Sequence, residues 1–167
     1  MRTPFHRLLI PSCVLFIALS ATPRTAHAEL GLGVFVGRPT GFDLKVDLTD
    51  RVALDFLFGV LHPARYGWDD FYTHVTVLFQ LANIHADKVF IPFRLGIGGA
   101  IYDDDYYYDR REDRNFDLNL GVRVPFEVGV RFRKVPIEIY GEIAFRLELI
   151  DDVGPWFDGG VGVRFYL

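Results

Sequence analysis

The chain has 167 residues, of which 50% are hydrophobic and 16% aromatic, and its 18 Lys+Arg against 22 Asp+Glu give a formal net charge of -4. That length fits one domain, the apolar content excludes a disordered chain, and the acidic balance excludes binding to nucleic acid by overall charge. Sixteen glycines occur without the three-residue period of collagen.

The chain opens with an export pattern. Arg2 and Arg7 flank a basic start, residues 8–19 are apolar apart from Pro11 and Ser12, and Ala26-His27-Ala28 is a small-residue cleavage site. These are the three parts of a secretory signal peptide, and the apolar run is shorter than the about 20 residues that a retained membrane helix needs. Cys13 precedes most of the apolar core, whereas a lipidation cysteine follows it. The expected division is a signal peptide over 1–28 and one domain over 29–167. Cleavage would remove Arg2, Arg7 and Arg24, leaving a more acidic chain without cysteine, and would remove Ser12 and Ser20, the only serines.

From residue 29 onward the pattern is period two, the signature of strands with one apolar face. Residues 30–37 set Leu32, Val34 and Val36 against Gly31, Gly33 and Phe35, and Arg38-Pro39-Thr40-Gly41 turns the chain. Residues 42–48 set Phe42, Leu44, Val46 and Leu48 against Asp43, Lys45 and Asp47. Residues 52–58 set Val52, Leu54, Phe56 and Phe58 against Ala53, Asp55 and Leu57. A fourth strand over 71–80 opposes Phe71, Thr73, Val75, Val77 and Phe79 to Tyr72, His74, Thr76, Leu78 and Gln80. A fifth over 89–101 carries Arg94, Gly96 and Gly98 on its polar face. In the sixth, over 116–132, an unbroken row from Phe116 through Val122, Val124 and Val128 to Phe132 alternates with Asp117, Arg123, Glu127 and Arg131. The seventh, 137–149, carries Glu138, Tyr140, Glu142, Arg146 and Glu148 on its polar face; the eighth, 157–167, carries Asp158, Gly160, Gly162, Arg164 and Tyr166.

Eight antiparallel strands permit a soluble barrel or sandwich with its apolar face inside, or a transmembrane barrel with that face toward lipid. The predicted turns near 50–51, 83–87 and 133–134 are short and fall at one end. At the other end the tight turn at 38–40 is joined by longer connections around 61–70, 102–115 and 150–156. Short turns at one end and long loops at the other favour the membrane barrel, as do phenylalanines near both ends of the apolar face, such as Phe71 with Phe79 and Phe157 with Phe165. The expected fold is therefore all-β, an eight-stranded antiparallel up-and-down transmembrane β-barrel preceded by a cleavable signal peptide.

So narrow a barrel is filled by side chains. Its charges then require partners, since a buried charge is costly unless paired and hydrogen-bonded. The expected interior network comprises Asp43, Lys45, Asp47, Asp55, His74, Arg94, Arg123, Glu127, Arg131, Glu138, Glu142, Arg146, Glu148 and Arg164. Glycines 96, 98, 121, 129, 160 and 162 share that face and leave room for long side chains.

The segments Gly37-Arg-Pro-Thr-Gly41, Gly121-Val-Arg-Val-Pro-Phe126, Val135-Pro-Ile-Glu-Ile-Tyr140 and Phe157-Asp-Gly-Gly-Val-Gly-Val-Arg-Phe-Tyr-Leu167 resemble those of an uncharacterised family of small bacterial outer-membrane β-barrel proteins. More loosely, the layout is similar to the OmpA/OmpX-like eight-stranded barrels. The resemblance implies the outer membrane of a diderm bacterium, contact with its lipid and lipopolysaccharide, and delivery by the outer-membrane barrel assembly machinery. The last strand resembles the signal read by that machinery, although it closes with Leu167 rather than Phe. No catalytic residues carry over.

Chemistry is constrained by missing residues. A Ser or Cys hydrolase needs a hydroxyl or thiol activated by a base, and past residue 28 neither Ser nor Cys remains. His74, Thr76 and Asp55 are the best available substitute, and a structural role for His74 in the interior network is favoured over it. Neither a cofactor nor a metal is expected: His62 belongs to an outer loop, His74 to a strand and His85 to an inner turn, and Asp103-Asp104-Asp105 with Asp109, Glu112 and Asp113 lacks EF-hand spacing. The outer loops carry Trp68, Tyr102, Tyr106, Tyr107, Tyr108 and Trp156 as candidate contacts for an extracellular protein or surface ligand. The expected function is a non-enzymatic integral outer-membrane barrel with a structural or surface-interaction role. The alternatives are a soluble periplasmic barrel binding a small apolar ligand and a lipid-modifying outer-membrane enzyme.

Overall fold

The computed structural model describes residues 29–61, 71–103, 118–150 and 153–167. In chain order they form β1 (Glu29–Arg38), β2 (Thr40–Asp47), β3 (Val52–Val60), β4 (Phe71–His85), β5 (Val89–Asp103), β6 (Leu118–Phe132), β7 (Ile137–Glu148) and β8 (Pro155–Tyr166). Every strand is antiparallel to its sequence neighbours, and β8 pairs with β1 to close the barrel. Closure matters because it removes the unpaired edges that an open sheet would present.

Alternation in sequence becomes alternation in space. Along β6, Asn119, Gly121, Arg123, Pro125 and Glu127 are buried in the interior while Leu118, Leu120, Val122, Val124 and Phe126 are exposed outside. Phe42 and Phe157, on the outer face, are 74% and 75% exposed. Arg123 and Arg146, on the inner face, have no exposed surface at all. The usual distribution of a water-soluble core is thus turned inside out.

A proline marks where the ladder gives way. Pro125 lies inside β6, and the β5–β6 register passes from Leu95↔Phe126 to Gly98↔Arg123 without the pairs between them. A proline has no N–H to give to a ladder, so the interruption falls at that position. On the other side Pro125 still faces Ala144 of β7 in continuous register. Where β1 meets β8, a Cβ on Gly37 would lie 2.3 Å from the Gly159 carbonyl oxygen, so the close approach of the two strands requires glycine there. Thr40 braces the adjoining turn, accepting from the Gly37 N–H at 3.0 Å and donating to its carbonyl at 2.9 Å.

Connections 48–51, 86–88 and 133–136 lie at one end of the barrel together with the start of β1 and the end of β8. The ends of β3, β5 and β7 and the starts of β4, β6 and β8 lie at the other, and residues 62–70, 104–117 and 151–152 between them lie outside the described residues.

Several boundaries differ from the sequence reading. The fourth strand does not stop at 80 but continues to His85, by way of a bulge between Gln80 and Ala82. An extra residue at the bulge resets the alternation and lets a segment with turn-like composition continue as strand. The last strand begins at Pro155 rather than 157, and the fifth runs to Asp103. Phe116 and Asp117 lie outside the described residues.

Candidate functional site in the barrel interior

The interior is layered along the barrel axis. Its middle is organised by Arg164 on β8, whose Nε donates to Asp43 and whose other nitrogens reach Asp55 at 2.6 Å and Glu127 at 2.7 Å. Its guanidinium carbon lies 3.6 Å from the centre of the Tyr140 ring, and the Tyr140 hydroxyl donates to Asp43 Oδ2 at 2.8 Å. A planar, multidentate cation suits such a site, because charged groups far from water must satisfy most of their hydrogen-bonding capacity locally.

Arg94 on β5 bridges Glu127 and Glu138, the latter at 2.5 Å. The Tyr166 hydroxyl also bonds Glu138 and lies 3.2 Å from Lys45 Nζ, which in turn reaches Asp47 at 2.5 Å. Glu127 is thereby shared by Arg94 and Arg164, so strands β2, β3, β5, β6, β7 and β8 meet in one connected network. Toward the short-turn end, Arg131 bonds Glu29 at 2.7 Å, approaches Asp47 at 3.8 Å and lies over the Tyr166 ring.

A second cluster surrounds Arg123, which bonds Glu142 at 2.5 Å, His74 Nε2 at 2.8 Å and Thr76 Oγ1 at 3.2 Å. His74 Nε2 is also 3.1 Å from Asp55 Oδ2, while Nδ1 is 3.3 Å from the Tyr72 hydroxyl. His74, Thr76 and Asp55 therefore do meet, but around a guanidinium. Arg123 donates to the nitrogen that a general base would use and to the hydroxyl that a nucleophile would use, and all four residues are buried. That arrangement holds groups in place and leaves no base free to activate Thr76.

Toward the long-loop end an apolar and aromatic layer follows, with Phe35 stacked on Tyr140 at 5.8 Å and Tyr72 on Tyr102 at 6.1 Å, packed with Leu57, Leu61 and Ala100. Arg146 lies 4.0 Å above the Tyr102 ring and bonds Asp158 at 2.9 Å. Glu148 is buried on the same face.

Two of the residues assigned to outer loops are elsewhere. Tyr102 is fully buried inside the barrel as the penultimate residue of β5, because the alternation that puts Arg94 and Ala100 inward continues through it. Trp156 belongs to β8, with Arg38 lying 5.1 Å from its ring, and it shares the inward register of Asp158. Neither belongs to a loop, and Tyr102 has no surface to offer a partner. Trp68, Tyr106, Tyr107 and Tyr108 lie outside the described residues, as do His62 and the acids from Asp104 to Asp113. Among the described residues no group of three His, Cys, Asp or Glu has metal-binding geometry.

The tyrosines are the members that the list of charged residues omitted. Guanidiniums stack on the rings of Tyr102, Tyr140 and Tyr166, the hydroxyls of Tyr140 and Tyr166 bond carboxylates, and the Tyr72 hydroxyl lies 3.3 Å from His74 Nδ1. Their signal is parity: each falls in the same alternating row as the inward polar residues of its strand. Gly162 accommodates one of these rings, since a Cβ there would lie 2.3 Å from Tyr140.

No protein-family model and no curated protein matches the chain. Its fold is similar to the crystal structure of the N-terminal β-barrel domain of OprF from Pseudomonas aeruginosa, with a TM-score of 0.54 and 14% sequence identity, over 84% of this chain and 96% of that one. At that identity the likeness concerns the fold: a closed, eight-stranded antiparallel barrel.

Proposed function

We propose that the protein is an integral outer-membrane barrel of a diderm bacterium, exported with loss of residues 1–28, with a structural or surface-interaction role and no catalysis. The observation that carries this reading is the inversion of the two faces. Val36, Phe58, Ile143 and Val161, each at least 60% exposed, belong to an apolar exterior that runs around the barrel, while guanidiniums and carboxylates fill the inside. Soluble monomers rarely expose contiguous apolar patches beyond a few hundred Å². In a bilayer the same surface is solvated by acyl chains, and closure gives every strand a hydrogen-bonded neighbour on both sides.

Aromatic placement supports the same reading. Phe42 and Phe58 are register partners, Phe58 packs edge-on against Phe71 at 5.3 Å, and Phe145 packs against Phe157 at 5.6 Å. These form an outer belt near the long-loop end. Phe79, Phe132 and Phe165 lie near the short-turn end. Two such belts are the interfacial girdles of membrane barrels.

Lipid and lipopolysaccharide are the partners of the outer face, and the barrel assembly machinery is the route of insertion. The soluble alternative, with a small apolar ligand inside, is disfavoured by an interior whose middle is ionic. Native envelopes washed with carbonate or urea should retain the protein, and the folded barrel should show heat-modifiable gel mobility; release into the wash is the result against this reading. For the surface role, replacing Tyr106, Tyr107 and Tyr108 together with Ser should abolish loop-mediated partner binding and preserve folding.

A further inference from the structure

At the short-turn end the interior opens into a cavity of about 910 Å³, within the roughly 300–1,000 Å³ range of ligand sites. On one side the cavity is bounded by a strand edge that the barrel does not use. Pairing of β4 with β3 ends at Val52↔Phe79, with one further bond from the Gln80 N–H to the Arg51 carbonyl at 2.8 Å. Yet β4 continues to His85, paired from Ala82 onward with β5 alone. Among the described residues nothing pairs with the other edge of Leu81–His85.

Asn83 stands at the centre of this segment, opposite Pro92. Because the Ala86 N–H bonds the Val89 carbonyl on the β5 side, alternation turns the Asn83 N–H and carbonyl to the unused edge, where the carbonyl accepts from the His85 imidazole at 3.0 Å, a bond that an added strand displaces. Asn83 lines the cavity, and its side-chain oxygen is buried with no hydrogen-bond partner.

Charge in the cavity is unevenly used. Glu29 and Asp47 are both engaged by Arg131, and Asp47 also by Lys45. Arg51, Arg133 and Lys134 line the same cavity and, like Asp50, form no ion pair among the described residues, which leaves the cations in excess. Arg133 is held in place nonetheless, since its Nε donates to the Ala86 carbonyl at 3.0 Å and its guanidinium lies 4.0 Å from the Phe90 ring. The mouth is therefore a polar cup with surplus cations beside a free strand edge.

We propose that this cup binds an extended acidic peptide segment, which adds as a strand to the Leu81–His85 edge and places its carboxylates against Arg51, Arg133 and Lys134. Unpaired strand edges are templates for such addition, with main-chain bonds supplying affinity and alternate side chains supplying specificity. Alternation also fixes the rest of the motif. Every second side chain of the added strand points into the cup and must be acidic, while those between them lie on the side of exposed Ile84 and must be apolar. Short turns of outer-membrane barrels face the periplasm, so a periplasmic partner rests on the membrane reading proposed above; the site itself does not.

The test uses the folded barrel in detergent micelles and a fluorescein-labelled Glu-Val-Glu-Val-Glu-Val peptide, read by anisotropy against empty micelles. Saturable binding is expected, with the Gln-Val counterpart binding roughly tenfold more weakly or worse because charge-assisted bonds are lost. The double variant Arg51→Gln with Lys134→Gln changes only exposed side chains and should weaken the Glu peptide by a similar factor. Asn83→Pro removes the edge N–H and should abolish strand addition; heat-modifiable mobility shows whether it folds, and the double variant decides the question if it does not. Equal affinity for the Glu and Gln peptides, unchanged affinity in the double variant, or no saturable binding to the folded protein would overturn the proposal. Because the assay is made in micelles, its failure leaves the membrane reading intact, and release by carbonate would fail that reading without touching the cup.

Discussion

Arg164 touches Asp43, Asp55 and Glu127 at once, and that geometry makes it the most consequential single residue in the barrel. Removing one partner of a buried pair leaves uncompensated charge and costs about 3–5 kcal/mol. Arg164→Met should therefore lower unfolding free energy by an amount in that range, measured by urea titration in lipid vesicles. Arg164→Lys keeps the charge but not the fork, and it should recover only part of the loss. A second prediction concerns the ring that Arg164 stacks on. Gly162→Ala places a methyl against Tyr140 and should cost roughly 1–3 kcal/mol by overpacking. In a Tyr140→Leu background that penalty should shrink, and a double-mutant cycle showing simple additivity would contradict the contact.

At the scale of the strand, alternation is what made the sequence readable. In β6 every inward residue from Asn119 to Glu127 could be assigned from period two alone, because a one-residue slip would turn the whole strand over. Boundaries were legible only where composition changed with structure. Asn83-Ile84-His85-Ala86-Asp87 reads as a turn, yet the bulge at Leu81 carries β4 through most of it. Tyr102 was hidden for the opposite reason: it is followed by a run of Asp and Tyr that looks like loop, although parity from Arg94 through Ala100 already pointed it inward. The partners of each charge were not legible at all, since which acid meets which base depends on strand stagger around the barrel. Position on the outer face leads to a third prediction. Val124 lies near the middle of β6 and faces outward. Val124→Arg should destabilise the barrel by about 2–4 kcal/mol in a bilayer, where an exposed site in water would tolerate the change. Urea titration in vesicles checks it, and a loss below about 0.5 kcal/mol would contradict lipid exposure.

For the whole molecule, the two faces define one account: a closed sheet with an acyl-compatible exterior and an interior filled by cross-strand ion pairs. Such an interior should not pass a steady ion current. In a voltage-clamped bilayer the reconstituted barrel is expected to show no large, stable conductance, and a persistent open channel would mean that the network does not fill the lumen. The face assignment itself can be measured directly, because Cys13 is the only cysteine and lies within residues 1–28. Single cysteines at Val122, Val124 and Thr76, placed in the domain over 29–167 and labelled with a small fluorophore, can be reconstituted in vesicles containing brominated lipid. Strong quenching at 122 and 124 with little at 76 is the predicted result. Quenching at 76, with 122 and 124 unaffected, would show that the apolar row faces the interior and would contradict the account.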